Sequence, residues 1–257
     1  MSYALVFSVA LLASWLTFFS GFGLGTLLLP ALALFFPVER AIALTAVVHF
    51  LNGLFKLVVV ARFADLRIVL LFGLPAIVAA AAGAWLLLWL SEVPPIVTYS
   101  LLGTTRQITW AKLLVGLLLI AFGLAEVLPY LRRMTFGREY LPIGGVLSGF
   151  FGGLSGMQGA LRSAFLARAD LSKEAFVATG AVVASLIDVS RLGVYWRALV
   201  KEAADIDYVL LLGAVLSAFA GAAIGSRLLA RVTMVGIRRV VAVMLFAVAL
   251  GLGAGIL

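Results

Sequence analysis

The sequence predicts an all-α membrane protein of about eight transmembrane helices, arranged as two homologous four-span halves. Three observations carry that expectation. Of 257 residues, 65% are hydrophobic and 12% charged, with a mean hydropathy of +1.22, well above the roughly half-apolar content of a soluble domain. The apolar residues fall into stretches mostly long enough for the ~20 residues that a helical crossing needs. A glycine-rich break occurs twice inside apolar sequence, as SGFGLG from Ser20 and as GGLSGMQG from Gly152. A helix interrupted at membrane depth leaves backbone groups unpaired, which is tolerated only where they face protein or a water-filled cavity. Two such breaks at matching positions point to the substrate site of a transporter.

The first apolar stretch, 3–36, is too long for one straight crossing at ~1.5 Å per residue. It reads as a tilted broken helix or a re-entrant hairpin, with Gly21, Gly23 and Gly25 at its break. It has no positively charged start and no small-residue cleavage site, so it reads as retained rather than as a removed signal peptide. Spans follow at 41–61 and 68–90; Pro75 suggests a kink in the latter, and Trp85 and Trp89 close it at headgroup level. Pro94 and Pro95 stop that span, and 91–111 reads as a surface segment, an interfacial helix with Trp110 at the headgroups. A span at 112–131 completes the first half, 1–130. The polar loop 131–140, with Arg132, Arg133, Arg138 and Glu139, divides it from the second half, 141–257. There the spans are 141–167, broken at Gly152 and Gly153, then 175–196, 207–230 and 238–257. Gly21–Gly25 matches Gly152–Gly156, and the helices from Ala41 and Ala175 align with a shift of 134 or 135, which reads as an internal duplication. The plain alternative is that runs of glycine and alanine resemble one another in any membrane protein.

A net charge of +8 would suggest nucleic acid in a soluble chain. Here the basic residues sit in short loops beside the spans, where they orient the chain and meet anionic lipid, so no nucleic-acid partner is expected. With eight crossings, seven loop lysines and arginines fall on the side of the termini and nine on the other, which fixes no orientation. The chain has no cysteine. That excludes disulfides, thiolate metal sites and thioether haem, and leaves the compartment unread. No cofactor or metal is expected.

A charged side chain at the bilayer centre costs at least ~2.5 to 3.5 kcal/mol on insertion scales, so the few interior ones are informative. Residues three, four or seven apart share a helix face, and three polar stripes follow. Ser155, Gln158 and Arg162 come directly after the second break. Thr45, His49, Asn52 and Lys56 lie on the second span; Ser185, Asp188, Arg191 and Tyr195 lie on the sixth. Guanidinium groups bind oxyanions in planar, bidentate fashion, and a half-helix N-terminus near Gly156 adds free N–H groups and a positive dipole end. These residue types suit a small anion: Ser155, Gly156, Gln158 and Arg162 as ligands, Arg191, Lys56 and Asn52 in support. His49 and Asp188 are candidates for proton coupling. Each has a plainer reading. Asp188 and Arg191 form an intrahelical pair that lowers insertion cost, His49 is a satisfied interior histidine, and Lys56 snorkels from a span end. Glu126, close to Pro129, reads as interfacial.

At these residues the sequence resembles the sulfite exporter TauE/SafE family. The resemblance is carried by SGFGLGTLLLPAL from Ser20, by GGLSGMQGALRSAFLARADLSKEAFVATG from Gly152, and by SLIDVSRLGVYW from Ser185. It implies a multi-pass permease of the cytoplasmic (inner) membrane that exports sulfur-containing oxyanions such as sulfite or organosulfonates. Where other members carry more glycines in the second motif, this chain has Ser155, Met157 and Gln158. Alternating access at the two breaks is the expected mechanism. The alternatives are a passive anion channel and a non-transporting membrane assembly protein. An enzyme is not expected, because one histidine, no cysteine, no HExxH and no interior carboxylate pair on one helix leave little chemistry. The expected partners are a small oxyanion, membrane lipid and, as one open assembly, a second copy in a homodimer.

Overall fold

The computed structural model describes residues 3–17, 23–101, 103–132, 134–201, 207–227 and 234–257. Helices dominate, as the composition predicts: α1 (Tyr3–Thr17), α2 (Leu24–Ala33), α3 (Val38–Val60), α4 (Leu66–Glu92), α5 (Trp110–Val127), α6 (Pro129–Arg132), α7 (Leu141–Ser155), α8 (Gly159–Leu166), α9 (Lys173–Lys201), α10 (Tyr208–Arg227) and α11 (Met234–Gly253). Five of them, α3, α4, α5, α9 and α10, have the length and apolarity to cross a membrane. Local signals set their starts. The Asp65 carboxylate accepts from the Ile68 N–H at 3.0 Å to cap α4, and Thr109 caps α5 by accepting from Lys112 N–H at 3.2 Å, each satisfying a donor that the first turn leaves open.

Segment 91–111 is not the interfacial helix expected. Val97–Leu101 (β1) and Thr104–Ile108 (β2) form an antiparallel hairpin with Tyr99 opposite Arg106, turning at Gly103, whose φ is 77°. Pro94 and Pro95 end α4, and the β-branched residues Val97, Thr98, Thr104, Thr105 and Ile108 favour the pleated alternative. The hairpin is fastened to the C-terminus: Tyr99 Oη donates to the Ala254 carbonyl, and Arg106 Nη1 to the Ile256 carbonyl at 2.7 Å. Trp110 opens α5 instead of ending a surface helix.

The eight crossings expected are reduced, because both broken segments double back. After Gly156, in the left-handed region at φ 78°, the chain reverses, and α8 returns along α7. The Phe165 ring lies against Gly144 at the start of α7 and stacks on Phe136 at 4.3 Å; Phe136 N–H donates to Ala164 O at 3.4 Å, and Ser148 Oγ to Gln158 O at 2.9 Å. This segment enters and leaves on the face that carries the linker 131–140, here termed the linker face. The first segment does the same from the opposite, hairpin face. Tyr3 Oη donates to Asp207 at the head of α10 at 2.7 Å, and Phe7 and Leu11 pack on Gly213 and Gly221, so α1 runs parallel to α10. At its other end, Pro37 and Arg40 at the head of α3 line one cleft with Glu92, Arg197 and Lys201 at the tails of α4 and α9. Gly23, with φ 123°, stands at that turn; Gly21 lies outside the described residues. With α11, which runs antiparallel to α5 through Gly116 against Ala249 and Gly123 against Phe246, six helices run from face to face among the described residues.

Close packing fixes these directions. Gly145, Gly149 and Gly153 on α7 meet the backbone of Phe72, Ala76 and Ala80 on α4, in parallel register, and Gly83 answers with Phe150. Small residues four apart let helix backbones approach where lipid supplies no hydrophobic drive. Gly152 and Gly153 are thus interior helix positions rather than the break itself. Helices α3 and α9 run antiparallel, with Gly53 against Ser185 and His49 against Asp188. Helix pairing is reciprocal: α4 packs on α7, α10 on α1, α5 on α11 and α3 on α9.

Candidate functional site

The tips of the two hairpins meet inside the protein. A Cβ on Gly25 would stand 2.9 Å from the Gly156 carbonyl oxygen, and one on Gly156 would stand 3.0 Å from Arg191 Nη1. Around this contact the polar residues of α3, α8 and α9 converge. His49 is the middle residue of α3, and Asp188 lies one residue past the middle of α9, so both sit near mid-depth of helices that span the molecule.

Asp188 is the hub. Its side chain is fully buried; Oδ2 lies 2.5 Å from His49 Nδ1, and Oδ1 accepts from Gln158 Nε2 at 3.1 Å and from Arg191 Nε at 3.0 Å. Arg191 Nη2 approaches the same oxygen to 2.8 Å as an ion pair without an aligned hydrogen bond, and Nη1 donates to Gly152 O at 3.3 Å. Gln158 extends the chain, since its Oε1 accepts from Arg162 Nη1 at 2.9 Å. Lys56, partly buried on α3, lies close enough to Arg162 for their charges to repel. One connected cluster therefore runs from His49 through Asp188 and Gln158 to Arg162, with Arg191 bound to the same carboxylate.

The structure brings together Gly25, His49, Gly156, Gln158, Arg162, Asp188 and Arg191, with Lys56 beside them. Ser155, Gln158 and Arg162 do not share one helix face. Ser155 ends α7, where its hydroxyl donates to Phe151 O at 2.9 Å, while Gln158 precedes α8 on the returning arm. Asn52 is engaged elsewhere, its Oδ1 accepting from Ser14 of α1 at 3.1 Å. Gly152 contributes its carbonyl to Arg191, and Gly153 its carbonyl to the Tyr195 hydroxyl. Glu126 stands one residue from the end of α5, apart from the cluster, and is buried. Sequence reasoning missed Ser148, which ties α7 to the Gln158 carbonyl, although a lone hydroxyl in a glycine run was a signal. It also missed the contact of Gly25 with Gly156, because the pairing of two distant turns leaves no local trace.

One arginine, a carboxamide and an imidazole on one carboxylate, with a second arginine on the carboxamide, make a site of excess positive charge and many donors. Such a set recognises an oxyanion by charge-assisted hydrogen bonds. The hydroxyls of Thr45 and Ser185, on the inner faces of α3 and α9, are buried without a hydrogen-bond partner, and a buried donor left so costs about 1–3 kcal/mol. A family model described as "Sulfite exporter TauE/SafE" matches residues 6–252 of the chain. No curated protein and no solved structure matches it.

Proposed function

Because the chain belongs to the sulfite exporter TauE/SafE family, a family of membrane permeases for sulfur-containing anions, we propose that it moves sulfite or a small organosulfonate outward across the cytoplasmic membrane. The observation that carries this reading is the mid-depth cluster, in which Arg162, Arg191, Gln158 and His49 surround a single carboxylate at the meeting point of two broken segments. Irregular backbone at membrane depth, flanked by free helix ends, is where transporters hold ions. The anion exchanges with Asp188 for the donors of Arg191 and Gln158, and Arg162 and Lys56 supply the balancing charge. His49, which shares Asp188 with Arg191, and Asp188 itself are the candidates for any proton coupling. The reciprocal helix pairing supports two related halves of opposite topology, each with one hairpin and three crossing helices. Movement of the hairpins against the crossing helices then opens the site to one face at a time. Export of a dianion is already favoured by an inside-negative potential, by ~2.3 kcal/mol per charge per 100 mV, so no driving ion is required.

The test is the thermal stability of the purified protein against a panel of small anions, with Arg162→Ala alongside. Sulfite or a sulfonate at a hundred times its Kd stabilises the native state by about 2.7 kcal/mol, and Arg162→Ala abolishes the shift. A shift that survives in Arg162→Ala moves the site elsewhere, and no shift with any anion refutes the reading. In reconstituted vesicles, counter-flow of labelled anion identifies a carrier; flux without it identifies a channel.

A further inference from the structure

The hairpin turns re-sort the positive charge of the loops. With both broken segments doubling back, the described positions at the helix ends of the linker face are 61–67, 128–132, 134–140, 167–173, 227 and 234–239. They carry Arg62 and Arg67, Arg132 and Arg138, Arg168 and Lys173, and Arg227, Arg238 and Arg239. The hairpin face carries Arg40, Arg106, Lys112, Arg197 and Lys201. Among the described residues nine against five is a bias, where eight simple crossings gave near balance, and short loops rich in lysine and arginine stay on the cytoplasmic side. The linker face is therefore cytoplasmic and the hairpin face external.

On that external face lies a cleft of about 860 Å³ between the head of α3 and the tails of α4 and α9. Its rim is charged, with Glu39, Arg40, Glu92, Arg197 and Lys201, and its lining includes Tyr195. Tyr195 is 1% exposed and donates its hydroxyl to Gly153 O, three residues before the break glycine. Arg191 lies one turn further along the same face of α9, about 6 Å deeper at ~1.5 Å per residue. Behind it come Asp188 and Ser185. We infer that this cleft is the external vestibule of the anion path and that Tyr195 is the barrier between it and the buried arginine cluster. Loss of the bond from Tyr195 to Gly153 couples opening of the barrier to movement of the α7–α8 hairpin.

The role as a vestibule rests on the transport reading; the position and the barrier do not, and they are tested without an anion. The natural chain has no cysteine, so a single introduced thiol is the only reactive one. Ala198→Cys places it in the cleft, and Ser185→Cys places it beyond Arg191 and Asp188, where the native hydroxyl has no partner to lose. In intact cells a membrane-impermeant sulfonate-bearing methanethiosulfonate reagent labels Ala198→Cys, and labels Ser185→Cys slower by roughly tenfold or more, since thiol reactivity follows access. Adding Tyr195→Ala speeds labelling of Ser185→Cys from outside. Tyr195→Phe, which keeps the ring and removes only the hydroxyl, gives a smaller gain in the same direction and serves if the alanine variant does not fold. Labelling of Ala198→Cys only after permeabilisation overturns the orientation, and no labelling under either condition overturns the vestibule, since water then does not reach the cleft. Unchanged labelling of Ser185→Cys in both Tyr195 variants overturns the barrier. Each of these failures leaves an anion-induced stability shift intact, so it is distinguishable from failure of the transport reading.

Discussion

Asp188 shows how one side chain can be legible in sequence and yet have its role set by neighbours that the sequence does not reveal. Its spacing from Arg191 gives the intrahelical pair, and that pair exists, 2.8 Å apart and fully buried. Its bonds to His49 and Gln158 cross 139 and 30 residues of chain, beyond any local pattern. Removing one partner from a buried ion pair leaves the other charge uncompensated, at a cost of about 3–5 kcal/mol. Asp188→Asn should therefore destabilise the protein by that order, read as a lowered unfolding temperature in detergent. A change below 1 kcal/mol would mean that water or lipid phosphate already solvates Arg191. Asp207 lies outside the membrane and acts differently. The Leu210 N–H and the Tyr3 hydroxyl hold its carboxyl below the usual carboxylate range. A depressed folded value means that its contribution is complete above the unfolded value and is lost as pH falls through the folded one. Asp207→Asn should flatten the acid limb of the stability profile by lowering the neutral plateau while leaving the most acidic points nearly unchanged, which a pH series of thermal melts checks.

Among the elements, the pairing of α4 with α7 depends on three glycines, of which the sequence reading singled out only Gly153, and that one as part of a helix break. Gly145, Gly149 and Gly153 repeat every four residues, the spacing of one helix face, and each meets α4 backbone. A methyl group at Gly149 would run into the carbonyl of Ala76, so Gly149→Ala should cost roughly 1–3 kcal/mol by overpacking. A Cβ on Gly193 of α9 meets nothing within 4 Å, and alanine there should be neutral or stabilising by up to ~1 kcal/mol through helix propensity. Comparing the two melts separates packing from propensity. If both variants lose stability alike, close backbone approach is not what holds α7 to α4. The hairpin β1–β2 was missed for a related reason: its prolines and threonines mark the end of a helix, but its stability comes from pairing and from contacts to the C-terminus.

For the whole molecule, the number of crossings decides where every loop lies. Eight crossings would put the linker 131–140 on the same side as the termini. Two doubled-back segments put it on the opposite side, because three crossing helices, α3, α4 and α5, separate the N-terminus from it. An epitope inserted at 134–137 and another at the C-terminus should therefore be accessible from opposite sides of a sealed vesicle. Accessibility of both from one side would restore the eight-crossing plan.

Composition and periodicity determined the class of this protein, its helical content, the interior polar residues and the two glycine breaks. These follow from hydrophobicity and turn chemistry, which act on neighbouring residues. Tertiary structure decided that the breaks reverse the chain instead of bending it, and that Gly25 meets Gly156. It also decided that His49, Gln158, Arg162 and Arg191 gather on or beside one carboxylate while Asn52 and Ser155 are engaged elsewhere. The positive φ of Gly23 and Gly156 is permitted by glycine but not dictated by it. Whether a permitted turn becomes a reversal depends on what the returning arm can pack against. Here Phe165 on Gly144 and Phe136, with Ser148 on the Gln158 carbonyl, supply contacts that exist only once the arms lie side by side.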